Sequence, residues 1–337
     1  MPESLIIPEK LPLQRLKSNE STTSSTFSRN SSSSSVATSI STTAHSPIQF
    51  KHSPLSPSLT SLTEALQLSF SKPVDHHSTT TTTTTAAPPT TTPTNEPVQL
   101  EKWCIILVGL PASGKSSITA NLMNSLKPNV HIDTFNAGFI RRKLSNFENQ
   151  DSKFFDFNNP EGKKQRDLYA TISLDHLLNS LIVDNLDIGI LDATNSTRER
   201  RDYIFNTIKQ KNSSSGVKIN TMVLEIKCED QKCWEYNARA KTKGPDYAKM
   251  GYDVALKDFI NRAHKYRDAF EEITKDEMIK DGGVFITLKD VGRANIEKFG
   301  VENIDHDDQV FEMIMKFIDC YYEEFGKDYL DLVYNDV

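Results

Sequence analysis

The sequence predicts a mostly parallel α/β sheet with flanking helices, and three observations carry that prediction. Cys104–Val108, a short apolar or β-branched run, reads as a fully buried strand, Ile188–Leu191 as a buried strand, and Thr221–Ile226 as a further strand. They are separated by longer stretches of helical periodicity, the pattern of a parallel α/β sheet. Between the first strand and the first helix, Gly109-Leu110-Pro111-Ala112-Ser113-Gly114-Lys115-Ser116 fits G-x-x-x-x-G-K-[ST]. Glycines at those two places let successive backbone N–H groups turn inward on a phosphate, and the following helix adds its positive end. The prediction is therefore a P-loop nucleoside-triphosphate hydrolase or nucleotide-kinase-like fold.

The elements follow in order. The first helix spans Ser116–Leu126, with Ile118 and Leu122 one turn apart and Lys127-Pro128 ending it. Val130–Asp133 reads as the second strand, and Phe135–Arg142 as a loop entering a helix. Residues 145–160 are irregular, with Phe147, Phe154, Phe155 and Phe157 clustered. Glu161–Asn185 has helical periodicity through Leu168, Ile172, Leu177 and Leu181, and the third strand ends at Asp192. Thr197–Lys209, Gln231–Lys241 and Val254–Ile273 read as helices, and Gly244-Pro245-Asp246 as a turn. Gly282-Gly283 turns into a fifth strand, Val284–Leu288. Val310–Tyr322 is a closing amphipathic helix with Phe311, Ile314, Met315 and Ile318 inward.

Composition divides the chain. Residues 1–97 are dominated by Ser, Thr and Pro, too poor in apolar surface to offset chain entropy, and read as a disordered regulatory tail. Ser-Pro pairs at Ser46, Ser53 and Ser56, and a basic-directed serine at Ser18, suggest protein kinases as partners of the tail. Ser61-Leu62-Thr63-Glu64 resembles a capping box for a short helix. Residues 98–337 hold the single folded domain. The net charge of −6 gives no electrostatic footprint for nucleic acid. No apolar run is long enough for a membrane span, and no secretory signal opens the chain. The four cysteines form no C-x-x-C pair, so reduced thiols and a cytoplasmic protein are expected.

The motifs assign chemistry to positions. The loop from Gly109 to Ser117 should hold the phosphates of ATP, with Lys115 on the β- and γ-phosphates and the Ser116 hydroxyl on Mg²⁺. Asp192 stands at the carboxyl end of a buried strand, where parallel sheets place ligands. It could hold Mg²⁺, accept a hydroxyl proton or merely cap the next helix. Arg141, Arg142, Arg166, Arg198, Arg200, Arg201, Lys241 and Arg262 recur at element ends in an acidic protein. Several converging arginines suit a phosphorylated substrate, although each alone would be an ordinary surface charge.

The sequence resembles the kinase domain of the 6-phosphofructo-2-kinase/fructose-2,6-bisphosphatase family over residues 100–325. The matching stretches are GLPASGKS from Gly109, FNAGFIRR from Phe135, FFDFNNPEGKKQR from Phe154, LDATNSTRERRD from Leu191, IKCED from Ile226, AKTKGPDY from Ala240, DFINRAHKYR from Asp258 and KDVGR from Lys289. DATNSTRERR is the most specific, being long and set directly after its strand. The resemblance implies ATP and Mg²⁺ as cofactors and fructose 6-phosphate as substrate, phosphorylated at its 2-hydroxyl to fructose 2,6-bisphosphate. It implies that Arg141, Arg166, Thr194, Arg200, Lys241, Arg262 and Tyr266 contact the sugar phosphate. Asp192 would be the acidic catalytic residue, Cys228 an active-site cysteine, and Asn237 would lie on the adenine side of the nucleotide. A homodimer is compatible with it. The chain departs from the family at Ser113 and Asp156, where arginine is common, and at Phe139-Ile140, which replaces Glu-Tyr. No Arg-His-Gly occurs, so no bisphosphatase activity is expected of these residues. Another small-metabolite P-loop kinase and a catalytically silent sensor of nucleotide or sugar phosphate are the alternatives.

Overall fold

The computed structural model describes residues 101–145 and 152–335. The tail, with its Ser-Pro sites and capping box, lies outside the described residues.

The architecture grows from β1 (Lys102–Val108), every residue of which is buried. Alternate side chains leave a strand on opposite faces, and here both faces are covered. Trp103, Ile105 and Leu107 pack toward α1 (Lys115–Leu126) and α8 (Gln309–Tyr321). Cys104, Ile106 and Val108 pack toward α3 (Pro160–Ile182) and α4 (Arg198–Ser215). That is why the strand reads as an unbroken apolar run. Trp103 also fastens α8: its ring stacks on Phe311 at 5.2 Å, and its indole N–H donates to Asp308, the N-cap of that helix, at 2.8 Å.

The sheet has six strands in the order β2-β3-β1-β4-β5-β6, with β2 at Ile132–Asn136, β3 at Ile188–Asp192, β4 at Ile219–Lys227, β5 at Val284–Lys289 and β6 at Glu297–Phe299. All neighbours are parallel except β5 and β6. The chain passes from β1 over β3 to β2, and from β3 over β1 to β4. Strand order therefore reverses around β1, and the crevice beyond the carboxyl ends there is where such sheets bind ligands.

The remaining helices are α2 (Ala137–Leu144), α5 (Gln231–Lys241), α6 (Tyr252–Asp268), α7 (Lys275–Asp281) and α9 (Lys327–Asn335). Several boundaries correct the sequence reading. β2 begins at Ile132 rather than Val130 and runs to Asn136, whose side chain caps α2 by accepting the Phe139 N–H. α4 continues to Ser215, because Gly216 in the left-handed region is its true stop. The helix expected over Val254–Ile273 ends at Asp268, and α7 is a separate helix capped by Thr274. Met315 faces the core half-buried, and Phe317, which the sequence reading omitted, is a buried inward residue of α8. The edge strand β6, the π-helical turn Tyr322–Gly326 and α9 were not expected. Among the described residues no helix is long and apolar enough to cross a membrane.

Candidate active site

The P-loop leaves β1 through Gly109, whose φ is 151°, and enters α1 through Gly114 at 102°. Both glycines are required. A Cβ on Gly109 would meet the carbonyl oxygen of Ile226 at 2.5 Å, and Gly114 occupies backbone space that L side chains rarely adopt. Ala112 between them also has a positive φ, 66°. Lys115 folds back over the loop, donating to the carbonyl oxygens of Gly109 and Leu110 at 2.6 and 2.8 Å and to Ser113 Oγ at 3.4 Å. Burial lowers its ammonium to about 8; the Asp192 carboxylate opposes that shift, and Lys241 and Arg262 add to it.

α5 braces the loop from outside. Trp234 donates its indole N–H to Pro111 O at 3.3 Å, and Asn237 donates to Ala112 O at 2.9 Å. Lys241, at the end of α5, reaches Ser116 Oγ at 3.2 Å. A cavity at this point is lined by Pro111–Ser117, Asp192, Thr194, Asn237 and Lys241.

Asp192 ends β3 opposite Asn136 on β2, and the Asn136 amide donates to its carboxylate. Thr197, rather than Asp192, caps α4 by accepting the Arg200 N–H. The stretch between Asp192 and Thr197 is bolted to the P-loop strand. Gly109 N–H donates to Thr194 O at 3.2 Å, and Asn195 Nδ2 donates to Leu107 O at 2.8 Å.

A second cavity adjoins the first and shares Gly138, Arg141, Ala193, Thr194 and Arg262 with it. Arg166, Arg200 and Tyr266 line it as well. Of the seven residues assigned to sugar phosphate, six line this cavity; the seventh, Lys241, lines the P-loop cavity beside it. Arg141, Arg142 and Arg262 share one carboxylate, Asp246, at 2.6, 3.4 and 3.1 Å. Burial alone would raise Asp246; the Arg141 and Arg262 charges hold it below the usual carboxylate range. Arg262 lies 3.8 Å and Arg141 5.4 Å from the Phe155 ring centroid. Arg166 lies between the Phe154 and Phe157 rings, at 5.7 and 5.2 Å, and donates to Phe154 O. Arg200 pairs with Asp167.

The geometry does not bring Cys228 to either cavity. It lies past the end of β4, where its thiol donates to Asp230 O at 3.6 Å. Burial, with the nearby Cys233, Asp290 and Asp230, pushes that thiol up to about 12. Two of the family departures have local consequences. Ser113 accepts from Lys115, and Asp156 pairs with Lys265 on α6.

Residues missed by sequence reasoning include Asp246, read only as part of a turn, and Glu277 on α7. Glu277 and Arg201 are both 0% exposed and bond twice, at 2.5 and 3.0 Å. Arg201 also donates to Asn195 O at 3.2 Å, so the pair anchors the Asp192–Thr197 stretch from behind. A backbone bond from Glu271 N–H to Ser196 O at 2.9 Å adds to that anchor.

Comparison with known proteins agrees with this arrangement. The family model described as 6-phosphofructo-2-kinase matches residues 90–315. The protein named 6-phosphofructo-2-kinase 1 of Saccharomyces cerevisiae is 37% identical over 58% of this chain and 23% of its own length. The probable 6-phosphofructo-2-kinase C222.13c of Schizosaccharomyces pombe is 40% identical over 53% of this chain and 30% of its own. The protein named fructose-2,6-bisphosphatase of Saccharomyces cerevisiae is 32% identical over 51% of this chain and 37% of its own. The chain thus spans well under half the length of these relatives. With the P-loop, the DATNSTRERR stretch and the arginine-lined cavity in place, and a family model covering most of the chain, this protein belongs to the 6-phosphofructo-2-kinase family.

Proposed function

We propose that this chain transfers the γ-phosphoryl group of ATP to the 2-hydroxyl of fructose 6-phosphate, giving fructose 2,6-bisphosphate and ADP. The observation that carries the reading is the pair of adjoining cavities that share Arg141, Thr194 and Arg262. One is built on a phosphate-binding loop, the other on arginines from several elements, so two phosphorylated ligands would meet at the shared residues. Catalysis would be mainly positioning and charge neutralisation, which is where phosphoryl transfer gains most. Lys115 would leave the loop carbonyls it now engages for the β- and γ-phosphate oxygens. Arg141, Arg166, Arg200 and Arg262 would hold the 6-phosphate and the sugar, with Thr194, Tyr266 and Lys241 on its hydroxyls and the transferring group.

The residues fit a magnesium ion. Of the two carboxylates lining the P-loop cavity, Asp246 is engaged by three guanidinium groups, while Asp192 accepts from a neutral amide. Asp192 and the Ser116 hydroxyl would hold the ion with phosphate oxygens, a donor set of the kind magnesium takes. When bound it neutralises charge on the phosphates. Asp192 alternatively accepts a hydrogen bond from the attacking hydroxyl.

Hydrolysis of fructose 2,6-bisphosphate is not proposed for these residues, since the sequence contains no Arg-His-Gly. The test is steady-state turnover of the purified chain with ATP and fructose 6-phosphate, with a second arm supplying fructose 2,6-bisphosphate alone. Turnover in the first arm only supports the reading. Phosphate release in the second arm, or faster transfer to another small metabolite, refutes it.

A further inference from the structure

The first two turns of α3 present one stripe to the arginine-lined cavity. Lys163, Arg166, Asp167 and Ala170 stand at i, i+3, i+4 and i+7, and all four line it. Five cations line the cavity, namely Arg141, Lys163, Arg166, Arg200 and Arg262, and Asp167 is the one carboxylate among its described lining residues. A cavity built only to gather an anion gains nothing from a negative charge in its wall.

Stability does not account for that charge. Asp167 pairs with Arg200 through Oδ1, but its side chain is 47% exposed, and ion pairs so open to water add little to a fold. Nor is it needed to gather the other cations. Asp246 holds Arg141 and Arg262, Glu199 holds Lys163 at 2.8 Å, and the Phe154 and Phe157 rings hold Arg166. What Asp167 does is set conditions on a ligand. An anionic group placed against it is repelled, whereas a hydroxyl placed there donates to an ionised acceptor, a bond stronger than one between neutral groups. Rejection of this kind is how a site discriminates among ligands that all satisfy its attractive contacts.

We infer that Asp167 sets the selectivity of this cavity for a polyhydroxylated monophosphate over a bare anion, by accepting a hydrogen bond from a sugar hydroxyl and repelling any charge put in that place. The inference deepens the proposed function and rests on the reading that this cavity takes the sugar phosphate. The arginines supply attraction common to every phosphate; Asp167 makes the hydroxyls count.

The experiment titrates the full chain calorimetrically with fructose 6-phosphate and with inorganic phosphate, which offers the charge without the sugar. The wild-type chain should bind the sugar phosphate more tightly. In Asp167→Ala the fructose 6-phosphate Kd should rise about 10- to 150-fold, the range for losing a hydrogen bond to a charged acceptor. The inorganic phosphate Kd should hold or fall, because repulsion has been removed and Arg200 is released. Asp167→Asn keeps the shape and a neutral acceptor, so its fructose 6-phosphate Kd should lie between those of the wild type and Asp167→Ala. Equal weakening of both ligands would make Asp167 a mere support for Arg200, and an unchanged ratio of the two Kd values would take it out of recognition; either result overturns the inference while leaving the sugar-phosphate site in place. If the wild-type chain binds inorganic phosphate as tightly as fructose 6-phosphate, the hydroxyls contribute nothing and the inference falls. If it binds neither, the substrate reading itself falls.

Discussion

Replacing Glu277 with Ala removes one partner of the fully buried Arg201–Glu277 pair and leaves a guanidinium with nowhere to go. Both side chains are 0% exposed, and their two mutual hydrogen bonds measure 2.5 and 3.0 Å. Breaking a buried pair from one side costs about 3–5 kcal/mol, because the surviving charge stays desolvated. For a domain of this size each kcal/mol shifts Tm by about 2–4 °C, so a fall of about 6–20 °C is expected in thermal denaturation. The double variant Arg201→Met/Glu277→Leu has no stranded charge, and much of that Tm should return. It still lacks the guanidinium N–H that Arg201 gives to Asn195 O, so the stretch carrying Thr194 loses its rear anchor. The stable double variant should therefore keep a raised KM for fructose 6-phosphate. A Tm fall of less than about 2 °C in Glu277→Ala would refute the energetic argument. Wild-type KM in the double variant would refute the positional one.

Lys115→Met should fold normally and lose about 10²–10³-fold in turnover, the cost of one preorganised charge contact; near-native turnover removes Lys115 from the mechanism. Arg166→Ala should raise the fructose 6-phosphate KM by about 10- to 150-fold, matching loss of a charge-assisted hydrogen bond, and leave the ATP KM in place; equal rises in both KM values would assign Arg166 to the nucleotide. Burial lowers the Lys115 ammonium to about 8 in the unliganded protein, and bound triphosphate should restore its proton. ATP binding should then take up protons just above that pH, and affinity should fall as pH rises through it. Titration in buffers of unlike ionisation heat reads the uptake directly; its absence, or its persistence in Lys115→Met, contradicts the assignment.

How much of this was legible in the sequence depended on whether local pattern and tertiary role agreed. They agreed at the P-loop, where glycine spacing follows from backbone geometry, and at Asp192, where a buried strand ends. They disagreed at α7. Its sequence, KDEMIKD, offers Met278 and Ile279 as apolar residues; Met278 packs against the core, yet Ile279 is 69% exposed while Glu277 and Asp281 are buried. Glu277 is buried because it meets Arg201, 76 positions away in the chain, and no local pattern encodes such a partner. At the C-terminal end the sequence reading stops at Tyr322, but the chain continues through a π-turn in which the close approach of Val291 O requires glycine at 326. Cys228 was placed by family resemblance alone. Its partial burial and its absence from the lining of both cavities depend on how β4 exits the sheet, which the motif does not specify.

The protein carries a net charge of −6, so long-range attraction would not gather the proposed sugar phosphate, and local cations would have to do so. Arg141, Arg142 and Arg262 come from two helices and meet at one carboxylate, Asp246. Three positive charges against one negative leave a local surplus of two. A phosphate monoester carries about −1.5 to −2 at neutral pH, so its charge matches that surplus. Asp246 thus acts as the counter-ion that keeps three guanidinium groups together before any ligand arrives. Without it their mutual repulsion would spread them, and the cost of gathering them would fall on substrate binding. Asp246→Asn keeps the shape and removes the counter-charge, so the fructose 6-phosphate KM should rise even though the site becomes more positive. If a more positive site instead binds the sugar phosphate more tightly, preorganisation by Asp246 is not what makes the cleft work.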